Sequence, residues 1–261
     1  MPNITDTNIK PFGVPVHNPP YRSKKLSCRF NLVKLDIDVV NTEIIHDIIP
    51  KPLEWVGTNI FISANKVVDY QGYFASYIKD SQWNEILIQI PVQYNKTFYY
   101  YNCEIFTTHF GIISCDREMY GFPKIPANID IQMNGRNLKT IASHFGSGRE
   151  ICVLEFEWQR EASVNELGIK PKIINLRNVP HPYANETGDS IQQLIALKYK
   201  KQKIREMGIG KADLKLLDWF PHYIKEAQVK NIHKAVYIDV ELEIEGGKLV
   251  YDYNERLTPV V

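Results

Sequence analysis

Lys124 stands between the aromatic-proline pair Phe122-Pro123 and Ile125, at the end of the run Asp116-Arg117-Glu118-Met119-Tyr120-Gly121-Phe122-Pro123-Lys124-Ile125. An ammonium group among apolar atoms loses hydration, so its pKa falls by up to ~3–5 units and a free amine becomes available near neutral pH. A free amine attacks carbonyl carbon, which makes Lys124 the candidate nucleophile for imine chemistry. Glu85 is the candidate partner. It opens the run Glu85-Ile86-Leu87-Ile88-Gln89-Ile90, apolar up to Gln89, where a carboxylate is costly unless it is paired or used. Such a group can orient a substrate or move protons during imine formation. A solvent-facing strand glutamate is the alternative reading.

These residues need elements to hold them, and the dominant pattern along the chain is period-two alternation. Leu35, Ile37 and Val39 alternate with Lys34, Asp36 and Asp38. Val236, Ile238, Val240, Leu242 and Ile244 alternate with Tyr237, Asp239, Glu241 and Glu243 before Gly246-Gly247, which reads as a strand with one wet face followed by a turn. Residues 199–206 and 212–217 around Gly208-Ile209-Gly210 read as a hairpin, with a helix as the alternative for the first arm. Residues 86–94 and 98–106, rich in β-branched and aromatic side chains, read as strands buried on both faces, in a sheet that curls. The tyrosines Tyr99, Tyr100 and Tyr101 belong to the second of these. Two helices are expected: one capped by Asn41-Thr42 and stopped by Pro50, the other from about Thr108 to Tyr120, stopped by Gly121 and Pro123. The second delivers Lys124 just past its C-terminal end. Residues 1–20 hold five prolines and little periodicity, as in an extended arm, and the rest reads as one α+β domain, mainly antiparallel sheet with a few helices.

The lysine run, followed by Pro126-Ala127, resembles the active-site segment of the acetoacetate decarboxylase family, in which an Arg-Glu and then an aromatic lead into Pro-Lys-Lys. Trp83 to Val92 resembles the strand that carries an active-site glutamate, Ile49-Pro50-Lys51-Pro52-Leu53-Glu54 the early P-x-P-L-E turn, and Val250-Tyr251-Asp252-Tyr253 the C-terminal Y-D-Y. The resemblance implies a single domain of that kind over residues 21–261, a cone-like β-barrel or paired-sheet core, and assembly as a homo-oligomer. It implies a lyase that forms a Schiff base on Lys124 with acetoacetate or a similar small β-keto acid, with Glu85 in the pocket and neither metal nor organic cofactor. Arg117, Tyr120, Phe122 and Ile125 are carried over as substrate-binding candidates, although core packing is the better reading of Tyr120 and a structural ion pair is at least as good a reading of Arg117. The same fold also accommodates a Schiff-base aldolase or dehydratase acting on a pyruvate-like 2-oxo acid, and a non-catalytic small-molecule binder. The chain departs from the family at three places. Ile125 replaces the family's second lysine, a cationic neighbour that lowers the nucleophile's pKa. The arginine that holds the carboxylate falls at Arg22 or Arg29, and a second glutamate falls at or near Ser63.

Composition bounds the alternatives. A chain of 261 residues with a formal charge of +1 gives no reason to expect a nucleic acid or an anionic membrane as partner, so a small molecule is expected. Cys28, Cys103, Cys115 and Cys152 form no C-x-x-C pair, and the first residues lack the regions of a signal peptide, which reads as a reduced, cytoplasmic protein. No apolar run approaches the ~20 residues of a membrane-spanning helix. The seven histidines show no H-x-x-x-H spacing, Gly210-Lys211 lacks the rest of a phosphate loop, and no G-x-S-x-G elbow occurs.

Overall fold

The computed structural model describes residues 26–71, 82–167, 172–180 and 189–254, so the arm expected over residues 1–20 lies outside the described residues. Among the described residues eleven strands pair in one sheet. In chain order they are β1 (Leu26–Val39), β2 (Glu54–Trp55), β3 (Asn59–Gln71), β4 (Trp83–Tyr94), β5 (Thr97–Thr107), β6 (Lys124–Asn134), β7 (Asn137–His144), β8 (Glu150–Glu161), β9 (Ile173–Pro180), β10 (Asp189–Leu216) and β11 (Val229–Asp252). The order in the sheet is β2-β4-β3-β1-β11-β10-β8-β7-β6-β5-β9, and a further β4–β5 pairing joins its two arms into a ring of strands. Among the described residues only the pairings of β5 with β6 and with β9 are parallel. The expected curled antiparallel sheet with few helices is the observed architecture. Its helices are α1 (Thr42–Ile48), α2 (Phe110–Tyr120), α3 (Val164–Leu167) and α4 (His222–Ala227), of which α3 and α4 had no counterpart in the sequence reading.

Alternation sorts the side chains onto two faces. From β1, Val33, Leu35 and Ile37 are fully buried in the main core, together with Ile60 and Ile62 of β3 and Ile86, Ile88 and Ile90 of β4. The intervening positions, Leu32 and Lys34, Ser63 and Asn65, Glu85, Leu87 and Gln89, point into a second space on the other face. β4 is therefore buried on both sides, as its composition suggested. It turns into β5 through Asn95 and Lys96, both at positive φ (47° and 61°), the backbone of a tight two-residue hairpin.

Two expected turns are absent. Residues 199–216 are not a hairpin but the continuous second half of β10, paired along its length with β11 and then β8. Gly208 and Gly210 are there for contact rather than reversal. A Cβ on Gly208 would lie 2.1 Å from the Trp158 ring, and one on Gly210 2.5 Å from the Phe156 ring. Gly208→Ala is accordingly expected to destabilise the fold by ~1–3 kcal/mol, the range for overpacking, readable as a lower midpoint in urea at unchanged slope. Gly246-Gly247 lies inside β11, where the register with β10 slips. Nor is the polar face of β11 uniformly wet: Tyr237 joins the core and Asp239 is buried against Arg29.

Candidate active site

Helix α2 brings the site together. His109 caps its start, its ring Nδ1 accepting from the Ile112 amide at 3.3 Å, and Gly121 ends it in the left-handed region at φ 69°. The Gly121 amide returns to the Arg117 carbonyl, and the Phe122 amide to that of Asp116. No side chain fits at Gly121, because a Cβ would meet the backbone of Leu176 and Arg177 at 2.6–2.8 Å. Two residues later Pro123 accepts from the Ile105 amide and β6 begins beside β5, with Lys124 opposite Ile105. The lysine thus starts a strand just after a helix, as expected, and its side chain turns inward.

Lys124 is 5% exposed. Its Nζ donates to Glu85 Oε1 at 2.6 Å and lies 2.7 Å from Asp116 Oδ2. Glu85 Oε1 also accepts from Trp83 Nε1 at 2.9 Å, so the carboxylate is held on two sides. All three ionisable groups are buried. Burial alone pulls the Lys124 pKa down, but the charges of Asp116 and Glu85, and their hydrogen bonds, outweigh it and hold the amine above the ordinary lysine range. The expectation of an amine freed by desolvation is thereby corrected. Without substrate, Lys124 is an ammonium clamped by two carboxylates. Burial raises the Asp116 carboxyl above its usual range, against the opposing pull of Lys124.

The cluster forms one wall of a cavity of about 170 Å³. Phe122 lines it, as do Phe30, Leu32, Leu87, Ile105 and the β11 residues Ile238, Val240, Leu242 and Ile244. Ser63, where the family's second glutamate falls, faces it too. The volume is close to that of the ~150 Å³ apolar cavity that admits benzene, so small acids fit and bulky ones do not.

The remaining candidates do not meet there. Arg117 is exposed on α2. Tyr120 packs toward Gly247 of β11 and does not line the cavity. Ile125 is 38% exposed, because the residue after an inward lysine on a strand must point outward. Arg29 spends its guanidinium on Asp239 at 2.7 and 2.9 Å, and Arg22 lies outside the described residues. It follows that Ile125→Lys should leave both stability, within ~0.5 kcal/mol, and the pH profile of any Lys124 reaction unchanged. A shifted profile would show that position 125 senses the site after all.

Asp116 was missed, although it opens the run that singled out Lys124. The signal was its spacing: Ile112, Asp116 and Tyr120 recur every fourth residue, which puts the aspartate on the inward face of α2 with buried Ile112. Lys34 and Gln89 were missed because strand alternation cannot distinguish a face turned to solvent from one turned to a cavity. Gln89 Nε2 donates to Asn102 Oδ1, Asn102 Nδ2 to Asn175 Oδ1, and Asn175 Nδ2 to the Tyr120 carbonyl, at 2.7–3.0 Å. This buried chain ties the cavity wall to the last residue of α2, fixing the approach to Lys124. Among the described residues no cluster of three or more His, Cys, Asp or Glu side chains suits a metal ion, and no helix is long and apolar enough to cross a membrane.

Comparison with known proteins decides the lineage. The profile of the acetoacetate decarboxylase (ADC) family matches residues 14–255. The chain belongs to this family. An acetoacetate decarboxylase of Burkholderia ambifaria (strain MC40-6) is 24% identical over 267 residues, covering 96% of this chain and 98% of its own. A solved acetoacetate decarboxylase structure superposes with a TM-score of 0.79 at 18% identity, over 97% of this chain and all of that one. The enduracididine biosynthesis enzyme MppR, complexed with the condensation product of pyruvate and imidazole 4-carboxaldehyde, superposes with a TM-score of 0.77 at 13% identity over 95% of this chain and 99% of its own. These structural likenesses establish the fold.

Proposed function

We propose that this acetoacetate decarboxylase family member is a carboxy-lyase that condenses Lys124 with acetoacetate or a similar small β-keto acid. The observation that carries the reading is a buried lysine at the wall of a largely apolar cavity, with two carboxylates on its nitrogen. One carboxylate takes the ammonium proton, and Nζ then attacks the ketone carbon. Loss of water from the carbinolamine gives a cationic iminium beside Glu85 and Asp116, which stabilise it. The bond to the substrate carboxylate breaks, its electrons pass into the iminium, and CO₂ leaves an enamine. A carboxyl returns a proton to the enamine carbon, and water releases the ketone and the amine.

A second reading, aldol or dehydration chemistry on a pyruvate-like 2-oxo acid, is favoured by one feature. Asp116 gives the amine two proton-handling groups, and a reaction that moves protons both onto and off carbon uses both. The test is product analysis: CO₂ evolution from acetoacetate supports the first reading. Its absence, with pyruvate captured on Lys124 and condensed with an added aldehyde, supports the second. Assembly as a homo-oligomer belongs to the same proposal and is checked by the mass of the purified protein in solution.

A further inference from the structure

Lys34 is the second amine in the cavity, and the chemistry of Lys124 makes no use of it. It enters from β1 and donates to Gln89 Oε1 at 3.1 Å, with Nζ 3.5 Å from the centre of the Tyr100 ring and 4.1 Å from that of Phe61. Among the described residues no carboxylate pairs with it. An ammonium so placed has two ring faces, one amide oxygen and unused donors directed at the cavity it lines. Burial lowers its pKa to about 7, only partly opposed by the nearby charge of Asp36, so a bound anion would raise it again and favour the ammonium.

We propose that Lys34 forms an anion-binding subsite at the far end of the cavity from Lys124, and that the substrate is a keto acid carrying a second acidic group at the end of an apolar chain. This rests on the reading of Lys124 as the imine-forming residue. The spacing decides which acid group Lys34 can hold. Gln89, its partner, and Glu85, the partner of Lys124, face the cavity from the same strand four residues apart, a separation of ~13 Å at ~3.3 Å per residue. A carboxylate destined to leave as CO₂ sits one carbon from the imine carbon, ~2.5 Å away for two C–C bonds of ~1.5 Å. It cannot reach Lys34. The gap between the two ends is walled by Leu32, Leu87, Ile238 and Val240, which suit a short methylene chain.

The experiment compares 3-oxo dicarboxylates of about six to eight carbons with 3-oxo monocarboxylates of equal length, on wild type and on Lys34→Met. The expected wild-type result is a preference of ~10-fold or more in kcat/KM for the diacids, carried by KM, as a charge-assisted contact provides. In Lys34→Met the ratio should fall to ~1, and Lys34→Gln serves if the methionine variant does not fold. A wild-type enzyme indifferent to the second acid group, or a preference that survives both variants, overturns the proposal while leaving Lys124 chemistry intact. If borohydride captures no keto acid on Lys124, the imine reading has failed instead. The subsite is then judged on hexanedioate and octanedioate, which have no ketone, by calorimetry. Binding to wild type that Lys34→Met abolishes supports it, and equal or absent binding overturns it.

Discussion

Lys124→Arg is expected to abolish covalent capture of acetoacetate or pyruvate by borohydride and to cut turnover by ~10⁴-fold or more, since a guanidinium does not replace the amine that forms the imine. Arginine is the informative replacement because of the two carboxylates. A guanidinium keeps a positive charge between Glu85 and Asp116 and can bond both, so the buried cluster stays compensated. Lys124→Met would leave two buried carboxylates facing each other, at a cost of ~3–5 kcal/mol, and loss of activity would then be confounded with loss of fold. In wild type, borohydride reduces the iminium to a secondary amine, and mass spectrometry of the peptide spanning residue 124 reads the added mass. An unmodified Lys124, or equal labelling of the arginine variant, would sink the imine mechanism at Lys124, and labelling of neither protein would favour the non-catalytic binder. Lys34 is the control within the same cavity. With its pKa near 7 it is the more readily deprotonated of the two amines, and adduct formation there instead would relocate the chemistry by one cavity length.

How much of this was legible in the sequence follows from what alternation and punctuation encode. Gly121 and Pro123 marked the end of α2 because a left-handed cap and an N-substituted residue cannot continue a helix, and so Lys124 was placed correctly. The β4 strand was legible because apolar residues at both parities leave it no wet face. Glycine pairs misled at Gly208 and Gly210, where the absence of a side chain serves Trp158 and Phe156 across the sheet, a partner the local sequence cannot name. The same limit applied to Lys34 and Asp116. Lys34 stood on the polar side of an alternating strand that faces the cavity once the sheet closes into a ring, and Asp116 is carried to Lys124 by the inward face of α2. Ile125 failed for the opposite reason. Adjacency in sequence suggested a neighbour of the nucleophile, whereas adjacent strand residues occupy opposite faces.

Asp116→Asn and Glu85→Gln should separate the electrostatics of the site from its proton transfer. Asp116 contributes the larger of the two charge effects that hold the Lys124 amine above the ordinary lysine range, with Glu85 next. The sign follows directly. Attack needs the neutral amine, so kcat/KM climbs as pH rises through the Lys124 pKa, and removing a negative neighbour lowers that pKa. Asp116→Asn should therefore carry the acid limb of the profile to lower pH by at least ~1 unit, equivalent to ~1.4 kcal/mol, and Glu85→Gln by less. Rates should move differently. Glu85 accepts the direct 2.6 Å hydrogen bond from Nζ while Trp83 fixes its orientation, the arrangement of a group that takes and returns a proton. Loss of that carboxylate should lower turnover by ~10²–10⁴-fold at every pH. An unshifted limb in Asp116→Asn would mean that the aspartate does not govern the amine. Near-normal turnover in Glu85→Gln would reduce Glu85 to a structural counter-ion. If the two variants instead lose rate equally, and the double variant loses no more than either, the carboxylates work as one coupled acid-base pair, and the proton that leaves Lys124 belongs to both.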